Sequence, residues 1–290
     1  MKVIFLQSLL ALLVYPGFLF TLGLSILAAK LSGTQIITRS LGKSFRKAWR
    51  ESEVSITLLT ICLASGGLLL LPWPLHPTFL TARPPEANGS LWLGAWAGLE
   101  GAFLLALLPG LFAGSPLVAR ASSREAQLGV VGRSLLWLAL GSSLVFHQDW
   151  RIVGSNGQSP LLAHILAILA AIVAFPAAIG WGPFRAKESL AFGGPNHGLD
   201  SQTIDLAQAA HALHRSALLA ASLVALLPPF PQFPLGNLVL IMVVFSGLSF
   251  FLAHYKAFGP VFTLQEALRF CWWRALPCGI IALAYLGFVR

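Results

Sequence analysis

The sequence predicts an all-α, polytopic membrane protein of about eight transmembrane helices, formed by residues 1–290 as one integral membrane domain. Three observations carry this. Only 10% of the 290 residues are charged, 57% are hydrophobic, and the mean hydropathy is +0.78. A soluble domain carries about 25% charged residues, so a water-soluble fold could not cover its surface with polar groups here. Apolar blocks recur at roughly the 20-residue length a spanning helix requires. Basic residues alternate between the connections, as membrane topology demands.

The blocks run at about 3–29, 54–72, 91–113, 130–147, 160–182, 211–228, 235–253 and 270–288. The first follows Lys2 and outlasts the roughly 7–15-residue core of a signal peptide, so it reads as a retained span. Loop punctuation closes several others: Pro72-Trp73-Pro74, Pro84-Pro85, Pro228-Pro229 and Pro231. Trp73, Trp92, Trp150, Trp181, Trp272 and Trp273 fall near proposed ends, as an interfacial aromatic belt would place them.

Charge sets the orientation. The first, third, fifth and seventh connections, with their adjoining helix ends, hold 15 of the 19 lysines and arginines. Lys2, Arg83, Arg151 and Arg290 lie on the other side. The positive-inside rule then puts the odd connections in the cytoplasm and both termini outside a cytoplasmic (inner) membrane. The net charge of +9 therefore points to topology and anionic headgroups rather than to nucleic acid. In the first connection, Leu41, Phe45, Ala48 and Trp49 alternate at helical spacing with Lys43, Arg46, Lys47 and Arg50. That pattern predicts a cytoplasmic amphipathic helix lying on the headgroups.

Ionisable residues inside a membrane are functional candidates by default, because burying charge in hydrocarbon is costly. Glu100 stands in the middle of the third block, either as a proton relay or as a group bonded to a neighbouring helix. Arg133 opens the fourth block and is expected to snorkel to the cytoplasmic surface. The fifth connection holds Arg185, Lys187, Glu188, Asp205, His211 and His214. His211 and His214 share a helix face at i,i+3, as an interfacial or a proton-active pair. No third ligand has a telling spacing, so no metal site is expected. Cys62, Cys271 and Cys278 lie in apolar runs without a CxxC spacing and read as packing residues. Phosphate-loop, serine-hydrolase and zinc-protease signatures are missing, so no catalytic residue is assigned.

The stretch LFAGSPLVARASSREAQLG (111–129) resembles a cytoplasmic loop, containing SREAxLG, in the membrane subunit of energy-converting nickel–iron hydrogenases and formate hydrogenlyase. That subunit is homologous to subunit 1 of respiratory complex I, the membrane subunit at its quinone site. Residues 29–54 are similar to the family's first cytoplasmic loop, and TLQEALRFCWWRALP (263–277) to the start of its last helix. The resemblance implies a membrane anchor for a peripheral electron-transfer arm, coupled to proton or ion movement. Its implied partners are hydrophilic iron–sulfur or hydrogenase-like subunits and antiporter-like membrane subunits. The chain itself would bind no cofactor, with quinone held at an interface with a partner subunit. Arg124 and Glu125, with Arg46 and Arg50, would shape the docking surface for the arm.

Two departures from the family bear on mechanism. Its SREAxLG motif is followed by xxxEP, where this chain has Arg133-Ser134. Its fifth loop carries RxPxD and several carboxylates, where this chain has Pro183-Phe184-Arg185 and then Glu188. Both replace acid by base, and an arginine cannot relay protons because it never gives up its charge. The expectation is a divergent member with a partly lost carboxylate relay. Glu100, Glu188, Asp205, His211 and His214 remain as pathway candidates. A stand-alone secondary transporter and a non-coupling structural or assembly protein are the alternative readings.

Overall fold

The computed structural model describes residues 2–32, 52–76, 89–112, 116–144, 160–184, 201–227, 233–255 and 260–289. Among these it is helical, with no strand. The helices are α1 (Lys2–Leu13), α2 (Phe18–Leu31), α3 (Ser52–Leu69), α4 (Gly89–Leu111), α5 (Pro116–Leu144), α6 (Pro160–Ile179), α7 (Ser201–Leu226) and α8 (Pro234–His254). A last continuous rod follows: α9 (Leu264–Phe270), a π-turn (Cys271–Ala275) and α10 (Leu276–Val289). Six helical stretches are long and apolar enough to cross a bilayer: Leu9–Leu31, Leu91–Leu111, Leu161–Phe184, Ala209–Leu226, Pro234–His254 and Leu264–Phe288. The other two expected blocks are the shorter apolar helix α3 and the second half of α5, a helix less apolar over its length than the six. The protein is a polytopic, all-α membrane protein.

α7 is the hub. It packs against α2, α3, α4, α5, α6 and α8. Its run from Ser216 to Ala225 is buried throughout. Alanines and serines dominate that run, and small side chains let neighbouring backbones approach from all sides. The outer helices behave oppositely. On α8, Leu235, Val239, Val243 and Phe250 face outward, as lipid-facing positions do. α3 and α4 meet at Gly67 and Gly98, where a Cβ on Gly98 would sit 3.0 Å from the Leu63 carbonyl oxygen.

Several expectations are corrected. The first block is broken into α1 and α2 rather than forming one helix. Pro16 has no N–H to continue the ladder. The backbone crosses the break with wide bonds, Gly17 N–H to Ala11 O at 2.9 Å and Phe20 N–H to Val14 O at 3.1 Å. A Cβ on Gly17 would collide with the Leu12 carbonyl, so glycine is required there. The supposed loop around SREAQLG is helical from Pro116 onward, and α5 runs 29 residues, roughly 43 Å. Val118, Ser122, Leu128, Gly129, Gly132 and Arg133 give that helix a buried face well before the apolar block begins. Trp73 is not an interfacial residue: it is buried against Tyr15 and Phe20, and its indole N–H donates to Leu68 O at 2.9 Å. The amphipathic segment with Arg46 and Arg50, and Trp150, lie outside the described residues.

Backbone and side-chain bonds tie one end of the bundle together. Phe262 N–H donates to Pro183 O at 2.8 Å, and Arg124 Nη2 donates to Phe262 O at 2.7 Å. The first half of α5, the end of α6 and the start of α9 therefore share one end. These are the third, fifth and seventh connections, three of the four that the charge pattern groups together. A capping box finishes that end, with Glu266 N–H donating to Thr263 Oγ1 at 3.3 Å and Thr263 N–H to Glu266 Oε2 at 2.7 Å.

Candidate functional site

Glu100 lies nine residues from one end of the span Leu91–Leu111 and eleven from the other. At 1.5 Å per residue that is about 14–17 Å from either end, close to the middle of a hydrocarbon core of about 30 Å. Arg133 from α5 reaches the same depth. Its Nε donates to both carboxylate oxygens, at 2.9 Å to Oε1 and 2.8 Å to Oε2. Trp137, one turn further along α5, donates its indole N–H to Oε1 at 3.1 Å. The two donors stand at i,i+4 and so share a face. Arg133 is fully buried, which replaces the expectation that it snorkels to the surface. The Glu100 side chain keeps 14% exposure against 1% for Arg133.

The surroundings are fitted to the guanidinium. Its carbon lies 3.2 Å from the centroid of Phe103, a cation–π contact supplied by α4 one turn after Glu100. Nη1 points to Ala178 O on α6 at 3.4 Å, and Nη2 has no hydrogen-bond partner among the described residues. A Cβ on Gly129 would sit 2.7 Å from both Nη1 and the tip of Phe103. Gly132 allows α6 to approach: a Cβ there would stand 2.7 Å from the Ala177 carbonyl carbon and the Ala178 nitrogen. Gly129, Gly132 and Arg133 thus build the pocket for the charge and the helix contact that closes it.

α7 adds the histidines. His214 is buried, and its Nε2 lies 3.0 Å from Leu99 O, the residue before Glu100. A carbonyl only accepts, so Nε2 carries the hydrogen. The His214 ring lies 5.6 Å from Phe103. His211 is half-buried, three residues before His214 on the same helix. Glu125 stands eight residues before Arg133, about two turns along α5. Hydrogen bonds thus join Arg133 and Trp137 to Glu100, and His214 to the carbonyl of the residue before it. Asp205 is on α7, with its side chain outside the described residues. Glu188, Arg185, Arg46 and Arg50 are likewise outside them. Among the described residues no three His, Cys, Asp or Glu side chains converge as a metal site would require.

Both Glu100 oxygens accept hydrogen bonds, Oε2 from Arg133 and Oε1 from Arg133 and Trp137. Removing the carboxylate would leave a buried, permanently charged guanidinium unpaired, which is strongly unfavourable.

A second buried polar cluster went unnoticed in the sequence. Ser143 on α5 donates to Ala225 O at 2.6 Å, and its oxygen lies 2.9 Å from His164 Nδ1 on α6. The single Ser143 hydrogen is committed to the carbonyl, so His164 Nδ1 is the donor to Ser143. Within the main site, Trp137 and Phe103 were also missed. Their signal was the spacing: four residues after Arg133 and three after Glu100.

No known protein family and no curated protein match the sequence. Among solved structures, the chain is similar to a chain of the membrane-bound sulfane sulfur reductase (MBS), an archaeal respiratory membrane complex. The TM-score is 0.60 at 18% sequence identity, covering 98% of this chain and 99% of that one. At that identity the likeness establishes a shared fold, and it does so from end to end.

Proposed function

We propose that this chain is the membrane-anchor subunit of a complex I-like or hydrogenase-like oxidoreductase in the cytoplasmic (inner) membrane, with both termini on the non-cytoplasmic side. It docks a peripheral electron-transfer arm on its basic face. The observation that carries the reading is the match along nearly the whole length of both chains to a chain of an archaeal respiratory membrane complex. The SREAQLG segment supports it: Arg124 pins the first half of α5 to the start of α9, a rigid platform on the basic end. Glu125 is its neighbour on the same helix. The proposed partners are iron–sulfur or hydrogenase-like hydrophilic subunits and antiporter-like membrane subunits, with any quinone held at a partner interface rather than within this chain. In this reading the carboxylate relay is closed at Glu100–Arg133, and ion movement is left to the partner subunits.

The test is affinity purification of the tagged chain from its native membrane in mild detergent, with mass spectrometry of what accompanies it. Iron–sulfur and antiporter-like proteins in fixed ratio are the expected result. A chain that purifies alone and moves a solute across vesicles would overturn the proposal.

A further inference from the structure

The π-turn Cys271–Ala275 holds Cys271 and Ala275 against the core, both nearly fully buried, and turns the three residues between them outward. Trp272 is 59% exposed and Trp273 75% exposed, the latter more than any other tryptophan described. Arg274 follows, exposed, with its guanidinium 5.5 Å from the Phe270 ring. Arg269 is also exposed and stands three and four residues before the two tryptophans, so it shares their face. A π-turn has more residues per turn than an α-helix, which narrows the arc over which consecutive side chains point. The result is two indoles bracketed by two guanidiniums on one outward face.

The depth of this face is set by the helix. The rod Leu264–Phe288 is 25 residues long, roughly 37 Å, some 7 Å more than the hydrocarbon core. Its Leu264 end adjoins the junction of Arg124, Phe262 and Pro183, which belongs to the basic end of the bundle. With that excess on this side, Arg269 stands at the hydrocarbon boundary and Arg274 about 8 Å inside it, a depth from which a long arginine side chain snorkels back to the headgroups. Neither arginine has an acidic partner within ion-pair distance among the described residues. The nearest acid in sequence, Glu266, has its carboxylate bound to Thr263 in the capping box. Both indole N–H groups are without a partner among the described residues.

We propose that Arg269, Trp272, Trp273 and Arg274 form a binding site for the phosphodiester headgroup of an anionic phospholipid. Charge complementarity selects this occupant. Arginine binds phosphate oxygens through paired N–H groups, and indoles seat at the boundary of headgroup and acyl chain with the N–H toward the polar side. The connections that the charge pattern groups with this end carry 15 of the chain's 19 basic residues, a density that attracts anionic lipid. The inference stands independently of the subunit reading.

The test uses the full chain in detergent, titrated with phosphatidylglycerol or phosphatidylcholine and read by native mass spectrometry. Wild type is expected to retain phosphatidylglycerol at least about threefold better, and R269Q/R274Q to lose that preference. Equal retention of the two lipids by wild type, or an unchanged preference in the variant, would overturn the site. A second measurement leaves the arginines in place: a photo-crosslinking amino acid at position 273, irradiated in native membranes. A lipid adduct supports the site. A protein adduct assigns the face to a partner and refutes it.

Discussion

Arg133 and Glu100, 33 residues apart in sequence and on different helices, form an ion pair of 2.8 Å near the centre of the membrane-spanning bundle. The pair joins α4 to α5, and the same guanidinium reaches Ala178 O on α6. One side chain thus ties three helices together where hydrocarbon tolerates no unpaired charge.

Removing one partner strands the other. Arg133→Met is expected to destabilise the chain by about 3–5 kcal/mol, the cost of leaving a buried charge uncompensated. The double variant R133M/E100Q should recover most of that loss, since it removes both charges. Thermal unfolding of the four proteins in detergent gives the coupling. Simple additivity would mean that the pair is not interacting.

In complexes that still assemble, Glu100→Gln is expected to leave ion-coupled turnover unchanged, because the proposed function assigns this carboxylate to neutralising Arg133 rather than to a proton path. Loss of coupling without loss of assembly would show that Glu100 is a relay after all.

Gly132→Val places a branched side chain where even a Cβ would lie 2.7 Å from the α6 backbone. The helices must separate, at a cost of about 1–3 kcal/mol. A lowered melting temperature checks this, while Gly236→Ala on lipid-facing α8, whose nearest neighbour to the added Cβ is 3.4 Å away, should be close to neutral.

Arg124→Gln removes the charged donor to Phe262 O. The expected result is faster hydrogen exchange over residues 260–267 and weaker retention of the peripheral partners, with the transmembrane core unaffected. Exchange at wild-type rates would separate Arg124 from the stability of that junction.

His76, just beyond α3, is buried, and that burial holds its imidazole below the usual histidine range despite the pull of Leu69 O at 3.2 Å. The folded state therefore binds fewer protons than the unfolded one just below pH ~6.5. Its stabilising contribution is complete above that pH and falls as acid drives the group toward its folded-state value. Melting temperatures of wild type and His76→Phe, measured from pH 5 to 7.5, should differ in slope, with wild type losing more stability on the acid side.

The site was only partly legible in the sequence. Glu100 stood out because a carboxylate amid WAGLEGAFLL has no local neutraliser. Arg133 looked like an end residue because the apolar block was measured from Val130, whereas α5 is already helical from Pro116 and carries it to mid-membrane. The donor Trp137 and the ring of Phe103 were indistinguishable from lipid-facing aromatics, because hydropathy is blind to which way a side chain points. Trp73 misled for the same reason: its position beside two prolines suggested an interface, yet the break at Pro16 brings Tyr15 and Phe20 against it.

By itself the amino-acid sequence determined the surrounding medium, the helical class and the grouping of basic connections. These follow from transfer free energies and charges that add along the chain, span by span. Tertiary structure alone decided that Arg133 meets Glu100, that Arg124 grips Phe262 O, and that α7 is the hub. A helix's own hydropathy leaves open its rotation, its depth and its neighbours. Those are settled only when small residues such as Gly132 let particular helices close and each buried charge finds its partner.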